Sequence, residues 1–147
     1  MAKAKQISIE DLHPGKKIDF GETVLSEKDI VDFATAFDPL DFHVNRAAAK
    51  KSFFKQLVAS GPHVFNLVHR TKWIPLFGKS VICGLEITNW KFLKPVFANM
   101  PVYSTVKVVK IKPNIEKNHA VVHWRYEFKD KDGHFVQTVD AIVLHKI

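Results

Sequence analysis

The sequence predicts one α+β domain in which a long antiparallel sheet packs around a single buried helix. Two observations support this prediction. The helix that begins at Ser60 or Gly61 is apolar around most of its circumference, which is typical of a buried helix. After Ser80 the chain consists of long alternating runs, which indicate strands; they span 85–93, 102–111, 119–129 and 134–145. A length of 147 residues suits one domain over 1–147, without a repeat or linker.

The first third of the chain predicts an edge strand followed by a helix. Residues 16–25 alternate and contain β-branched and aromatic side chains. Ser26 and Asp29 have the spacing of a capping box, and apolar residues then recur at helical spacing over 27–37. Because Asp38 precedes Pro39, the helix should end there and leave Asp38 at a turn.

The middle of the chain predicts two more helices. Asn45 can cap a short helix that ends near Ser52, and residues 53–59 then cross the surface of the core. A proline is favoured in a first turn, so Ser60-Gly61-Pro62 marks the start of the buried helix. Pro75 is expected to limit its far end.

The last two strands form a predicted hairpin around the turn at 131–133. On the first of them, alternate residues should face the core; these are Val122, Trp124, Tyr126 and Phe128. The residues between them should lie on the opposite face of the sheet.

Composition and charge limit the classes of function. The net charge of +7 suits nucleic acid, a membrane surface or a phosphorylated small molecule, but the basic residues form small groups separated by apolar residues. A nucleic-acid module more often has a basic helix or a stacking platform, so no nucleic-acid partner is expected. No apolar run approaches the length that spans a bilayer, so no membrane partner is expected either.

The N-terminus and the cysteine content indicate a cytoplasmic protein. The opening MAKAKQISIE has no apolar core after its lysines, so it does not resemble a secretory signal. The single cysteine, Cys83, excludes an intramolecular disulfide and a cysteine metal cluster, and it is interpreted as structural. His119 and His123 share a strand face without a partner at metal-site spacing, so no metal site is predicted.

One stretch, from Phe37 to His69, concentrates the chemistry. Asp38 supplies a carboxylate, His43 an imidazole five residues later, and Gly61 a backbone donor at a helix N-terminus. An imidazole titrates near neutrality, so His43 can accept and return a proton while Asp38 orients or deprotonates a water. The alternative is that Asp38 only forms a turn. Together these groups suit proton transfer on an activated carbonyl.

Three segments carry a family resemblance: FDPLDFHVN at 37–45, LVASG at 57–61, and KPV at 94–96. In this order and spacing they resemble the MaoC-like dehydratase family, the hotdog-fold (R)-specific enoyl-CoA hydratases. The resemblance implies a hotdog fold, a curved antiparallel sheet wrapped around a long central helix. It also implies a homodimer or higher homo-oligomer with the acyl pocket near the subunit interface.

The resemblance further implies a lyase that hydrates trans-2-enoyl thioesters or dehydrates (R)-3-hydroxyacyl thioesters. Asp38 and His43 match the acid-base pair that holds the water, and Gly61 matches the donor that polarises the carbonyl. The substrate would be an acyl-CoA or an acyl carrier protein thioester in fatty acid metabolism, and no cofactor is required. The sequence does not distinguish the two carriers or the length of the acyl chain.

Three further residues are candidate substrate-binding groups: Ser60, His63 and Asn66. The backbone N–H of His63 could donate a second hydrogen bond to the oxyanion, while its side chain could line the pocket or lie in the core. Asn66 could bind in the pocket or satisfy a backbone group.

The segment between acid and base leaves alternatives open. Leu40-Asp41 stands where the family commonly has Asn-Pro, and Asp41 could compete with Asp38 for its role. An acyl-CoA thioesterase and a non-catalytic hotdog protein that binds acyl thioesters therefore remain alternatives.

Overall fold

The computed structural model describes residues 4–147. Residues 1–3, part of the N-terminal stretch that does not resemble a secretory signal, lie outside the described residues. Five strands and five α-helices follow in this order: β1 (Lys17–Thr23), α1 (Glu27–Phe37), α2 (Asp41–Val44), α3 (Arg46–Lys51), α4 (Gly61–Val68), α5 (Ile74–Phe77), β2 (Val81–Phe92), β3 (Val102–Asn114), β4 (His119–Lys129) and β5 (Phe135–Lys146). Between residues 4 and 147, no helix combines the length and hydropathy that a membrane span requires.

The strands form one antiparallel sheet in the order β1-β3-β4-β5-β2, with α4 packed on one face. The predicted hotdog architecture, a curved sheet with one long central helix, is confirmed. The ring of Phe65 on α4 lies edge-on to the ring of Tyr126 on β4, with 4.9 Å between centroids. β1 pairs only with β3, so it is an edge strand as predicted.

The predicted inward face of β4 is confirmed. Its four alternating residues are fully buried: Val122, Trp124, Tyr126 and Phe128. Trp124 packs against both Trp73 and Phe77 of the helical segment, with ring centroids 5.5 and 4.6 Å away. This aromatic layer joins the sheet to the helix.

The other face of β4 carries a polar network around Asp140 of β5. Arg125 donates two hydrogen bonds to the Asp140 carboxylate, at 2.8 and 2.9 Å, and His123 lies 2.9 Å away. Burial acts to raise the pKa of Asp140, but its bonds to Arg125, Asn89 and His123 outweigh burial and hold it at about 2. The carboxylate is therefore charged and fully satisfied.

Helix α1 has the predicted bounds and capping box. Ser26 Oγ accepts from the Asp29 N–H at 3.0 Å, and the Asp29 carboxylate accepts from the Ser26 N–H at 2.9 Å. Asn45 caps α3 as predicted by accepting from the Ala48 N–H at 2.9 Å. Helix α2, by contrast, is not among the elements predicted from the sequence.

The predicted end of the buried helix at Pro75 is wrong, since the helical segment continues to Ser80. A π-helical turn spans His69–Trp73, and the Ile74 N–H donates to the His69 carbonyl. The wider turn starts a new helix at Ile74, which places Pro75 in the first turn of α5. A proline costs little at that position because no donor is needed there.

His145 makes folding stability depend on pH. Trp124 Nε1–H lies 3.2 Å from His145 Nε2, so that nitrogen accepts, and Nδ1 lies 2.8 Å from Ser80 Oγ. Burial lowers the pKa of His145 from 6.5 to about 4. Between these values the unfolded chain binds the extra proton. The free energy of unfolding should therefore fall as pH drops through this window, by on the order of 3 kcal/mol.

Urea denaturation at several pH values between 7 and 4, with His145→Gln as the comparison, checks this prediction. Glutamine can keep an acceptor and a donor in place but does not titrate. We expect a flatter pH dependence in the variant. Equal slopes in the two proteins would show that His145 is not responsible.

Candidate functional site

The end of α1 and the short helix α2 bring Asp38 and His43 together. The Asp38 N–H donates to the Ala34 carbonyl at 2.8 Å, so Asp38 caps α1. Pro39 then directs the chain into α2, where the His43 N–H donates to the Leu40 carbonyl at 2.8 Å. His43 Nε2 lies 3.4 Å from Asp38 Oδ2. The predicted carboxylate and imidazole thus face each other.

The hydrogen bonds of His43 fix which of its nitrogens can act as a base. Nδ1 lies 2.6 Å from the Val58 carbonyl oxygen. Because a carbonyl can only accept, Nδ1 carries the hydrogen and Nε2 of the neutral ring carries the lone pair. The His43 side chain is 8% exposed. His43 therefore presents a fixed acceptor beside the partly exposed carboxylate of Asp38.

Ser60 holds the Asp38 carboxylate. Ser60 Oγ donates to Asp38 Oδ2 at 2.7 Å and does not cap α4, although Ser60 is its N-cap residue. Oδ1 of Asp38 has no hydrogen bond within residues 4–147. One carboxylate oxygen is thereby held in place, while the other is free to accept from a water. A substrate-binding role for Ser60 stays a prediction.

Gly61 is the first residue of α4. Its N–H has no acceptor within the described part of the chain, because the first turn of a helix provides none. A Cβ atom at this position would lie 2.5 Å from the Phe92 ring. A larger residue here would have to displace the Phe92 ring, whereas the backbone φ, which lies outside the left-handed region, does not itself require glycine. The free donor at the positive end of α4 suits an oxyanion.

The four groups share one cavity of about 480 Å³ that opens to the surface. Most of its wall is apolar and comes from the 53–59 segment, α4 and residues 92–96. Its polar side chains are Asp38, His43, Ser60, Lys94 and Gln137. Asp38, His43, Ser60 and Gly61 are therefore collected in one mostly apolar pocket of a size that suits a small ligand.

His63 and Asn66 line a second cavity of about 870 Å³, which also touches Asp38 and Ser60. The His63 ring stacks on Phe33, with centroids 4.2 Å apart, and burial lowers its pKa. Asn66 Nδ2 donates to the Pro62 carbonyl at 2.9 Å, so it satisfies a backbone group. Neither side chain is in the cavity of His43, and their substrate-binding roles stay predictions.

Several contributors to the first cavity were not predicted from the sequence, among them the Val58 carbonyl, Phe92 and Gln137. The Val58 carbonyl leaves no trace in a sequence, because every residue has one. Gln137 does leave a signal. It lies two residues before Val139 and four before Ala141 on β5. Because side chains alternate along a strand, Gln137 is a polar residue on the same inward face as these two.

The sequence profile of the MaoC like domain matches residues 10–130, more than half of the chain. This chain belongs to the MaoC-like domain family. The matched region includes Asp38, His43, Ser60, Gly61 and Lys94 but ends before Gln137.

Similar proteins agree with this assignment. The chain is 26% identical to the MaoC-like dehydratase from Rhodospirillum rubrum, with a TM-score of 0.82 over 95% of this chain and 97% of that one. The (R)-hydratase from A. caviae involved in PHA biosynthesis is 20% identical, with a TM-score of 0.72 over 91% and 97% of the two chains, and shows the fold alone.

One curated relative is the uncharacterized protein YdeM of Bacillus subtilis. It is 32% identical over 91 residues, which is 60% of this chain. The match covers 64% of YdeM, just under two thirds of its length.

Proposed function

We propose that this protein adds water to trans-2-enoyl thioesters, or removes water from (R)-3-hydroxyacyl thioesters. The proposal depends on one observation: Asp38, His43 and the free N–H of Gly61 face a single cavity. Membership of the MaoC-like family and the similarity to the R. rubrum dehydratase support it.

In the hydration direction, a water between the two side chains donates one hydrogen to His43 Nε2 and one to the free Oδ1 of Asp38. Its oxygen forms a bond to C3 as His43 takes the proton. The C2–C3 π electrons move to give an enolate, whose oxygen accepts from the Gly61 N–H. The imidazolium, stabilised by Asp38, returns the proton to C2.

The hydrogen bonds of the site support the roles given to His43 and Asp38. The Val58 carbonyl keeps the hydrogen on Nδ1, so the lone pair of Nε2 points to the cavity. Ser60 holds Oδ2 of Asp38 and leaves Oδ1 for the water. An oxyanion donor is worth roughly a hundred- to a thousand-fold in rate, and we expect the Gly61 N–H to contribute on this scale.

The proposed substrate is a thioester of coenzyme A or of an acyl carrier protein. Proton transfer and oxyanion stabilisation use only groups of this chain, so the proposed reaction needs no further cofactor. Lys94 lies on the cavity wall and donates to Asp130 at 2.7 Å. Exposed lysines, such as Lys50, Lys51 and Lys55, can meet the phosphates of coenzyme A or the acidic surface of a carrier protein.

Loss of the enoyl absorbance, with a thiol reagent in a parallel reaction, tests the proposal. Purified protein is mixed with a short and a medium trans-2-enoyl-CoA. Loss of absorbance without thiol release supports hydration. Thiol release would show a thioesterase, and an unchanged thioester would show that the site does not catalyse this reaction.

We also propose that two copies of the chain pair along β2. This strand bonds only to β5, so the backbone on its outer side is unpaired within residues 4–147. It is twelve residues long and exposes apolar side chains; these are Ile82, Leu85, Ile87 and Phe92. Such an edge aggregates unless it is covered, and a second β2 strand related by a two-fold axis would cover it.

Sedimentation velocity tests this pairing. We expect a dimer, and we expect the Ile87→Lys substitution to shift it to the monomer. Ile115→Lys is the matched control because Ile115, in the turn between β3 and β4, is 72% exposed and lies away from β2. A monomeric parent protein, or a dimer that persists in Ile87→Lys, would contradict the proposal.

A further inference from the structure

Gln137 is a buried amide in the wall of the candidate active-site cavity. It lies on β5 opposite Phe92 of β2, and its side chain is on the inward face with those of Val139 and Ala141. The residue is only 2% exposed, and its Nε2 has no hydrogen-bond partner within residues 4–147. A buried polar group of this kind calls for a specific explanation.

The other polar side chains of the cavity all have partners inside the protein. Asp38 is held by Ser60 and faces His43, and Lys94 is paired with Asp130. Gln137 alone among them makes no hydrogen bond in the described part of the chain. Leaving a buried donor unsatisfied lowers the stability of a folded protein. A ligand that accepts a hydrogen bond from the Gln137 amide would remove this loss of stability.

The cavity wall that contains Gln137 also contains apolar side chains. Val64 lies one helical turn after Gly61 and is buried, and Val96 and Val136 also line the cavity. These side chains suit hydrocarbon. The unpaired amide of Gln137 suits an oxygen that can accept its N–H, such as that of a hydroxyl or a carbonyl.

We propose that Gln137 makes the cavity selective for acyl groups that carry a hydroxyl or carbonyl oxygen beyond the reacting carbons, in preference to plain hydrocarbon chains. This inference rests on the proposed function for the identity of the thioester, and it adds a specificity-determining residue. A site built to hydrogen-bond a substrate group discriminates strongly against the analogue without it, because the protein group is then left unpaired.

Binding of saturated thioesters tests the selectivity without requiring turnover. Hexanoyl-CoA, 5-hydroxyhexanoyl-CoA and 6-hydroxyhexanoyl-CoA have no C2–C3 double bond, so they cannot be hydrated. Calorimetric titration of each with the wild-type protein and with Gln137→Met gives the ratio of affinities. Methionine has a similar length but cannot donate a hydrogen bond.

We expect the wild type to bind at least one hydroxylated thioester about tenfold or more tightly than hexanoyl-CoA. In Gln137→Met the ratio should fall to about one, because the donor is absent. Without ligand, this variant should also have a higher melting temperature than the wild type, by roughly 2–4 °C, because the unsatisfied amide is gone.

Equal affinities in the wild type would overturn the inference, and so would a preference that persists in Gln137→Met. Failure of all three thioesters to bind would overturn it together with the proposed function. If selectivity for the hydroxylated chain is present but the corresponding enoyl thioester is not hydrated, the inference stands and the proposed reaction is wrong.

Discussion

Replacing His43 with alanine is expected to lower the rate of trans-2-enoyl thioester hydration by roughly a hundred- to ten-thousand-fold. The variant loses Nε2, the acceptor that faces Asp38 across 3.4 Å. It keeps the backbone of α2 and the Gly61 donor. Initial rates from the enoyl absorbance, at saturating and at low substrate concentration, measure the effect.

Two further variants make this prediction specific. Asp38→Asn keeps the shape of the side chain but removes its charge, so we expect a loss of similar size. Asp41→Asn is the matched control, because Asp41 is exposed at the start of α2, two residues from His43. It should change the rate by no more than about twofold. A large loss in Asp41→Asn with little change in Asp38→Asn would exchange the roles of the two carboxylates.

Replacing Trp124 with alanine is expected to reduce the free energy of unfolding by about 3–5 kcal/mol. The Trp124 side chain is fully buried between the sheet and the helical segment, and its Nε1–H donates to His145 at 3.2 Å. Alanine would leave a cavity beneath the layer that positions α4. Urea denaturation followed by far-ultraviolet circular dichroism measures the loss.

Trp124→Phe serves as the comparison, because phenylalanine fills most of the space but gives no hydrogen bond to His145. Trp124→Phe should reduce the free energy of unfolding by less than half as much as Trp124→Ala does. A reduction of less than about 1 kcal/mol in the free energy of unfolding of Trp124→Ala would show that this aromatic layer contributes little to stability.

The sequence predicts most of the fold, because most of its elements are determined locally. The capping box at Ser26 and the apolar spacing after it define α1, and the alternation of β4 identifies its buried face. Helix α2 is only four residues long and carries no periodic signal. The π-helical turn before Pro75 depends on hydrogen bonds that no residue type specifies, so the continuation to Ser80 could not be predicted.

The structure brings three of the predicted site residues together, but the groups that contact them could not be predicted from the sequence. Asp38, His43 and Gly61 meet because a helix end, a short helix and a helix start converge. The groups that contact them are distant in the sequence and could not be predicted from it. They are the Val58 carbonyl, which accepts from His43, and the Phe92 ring, which lies against Gly61. The His63 side chain lies in the adjoining second cavity, where its ring stacks on Phe33.

Identification of the product tests the central claim most directly. The wild-type protein is incubated with a trans-2-enoyl-CoA in isotopically labelled water, and the thioester is examined by mass spectrometry. We expect an intact thioester that has gained one labelled water as a 3-hydroxyacyl group, and no such product from His43→Ala. Unchanged substrate, or labelled free acid with released thiol, would contradict the account.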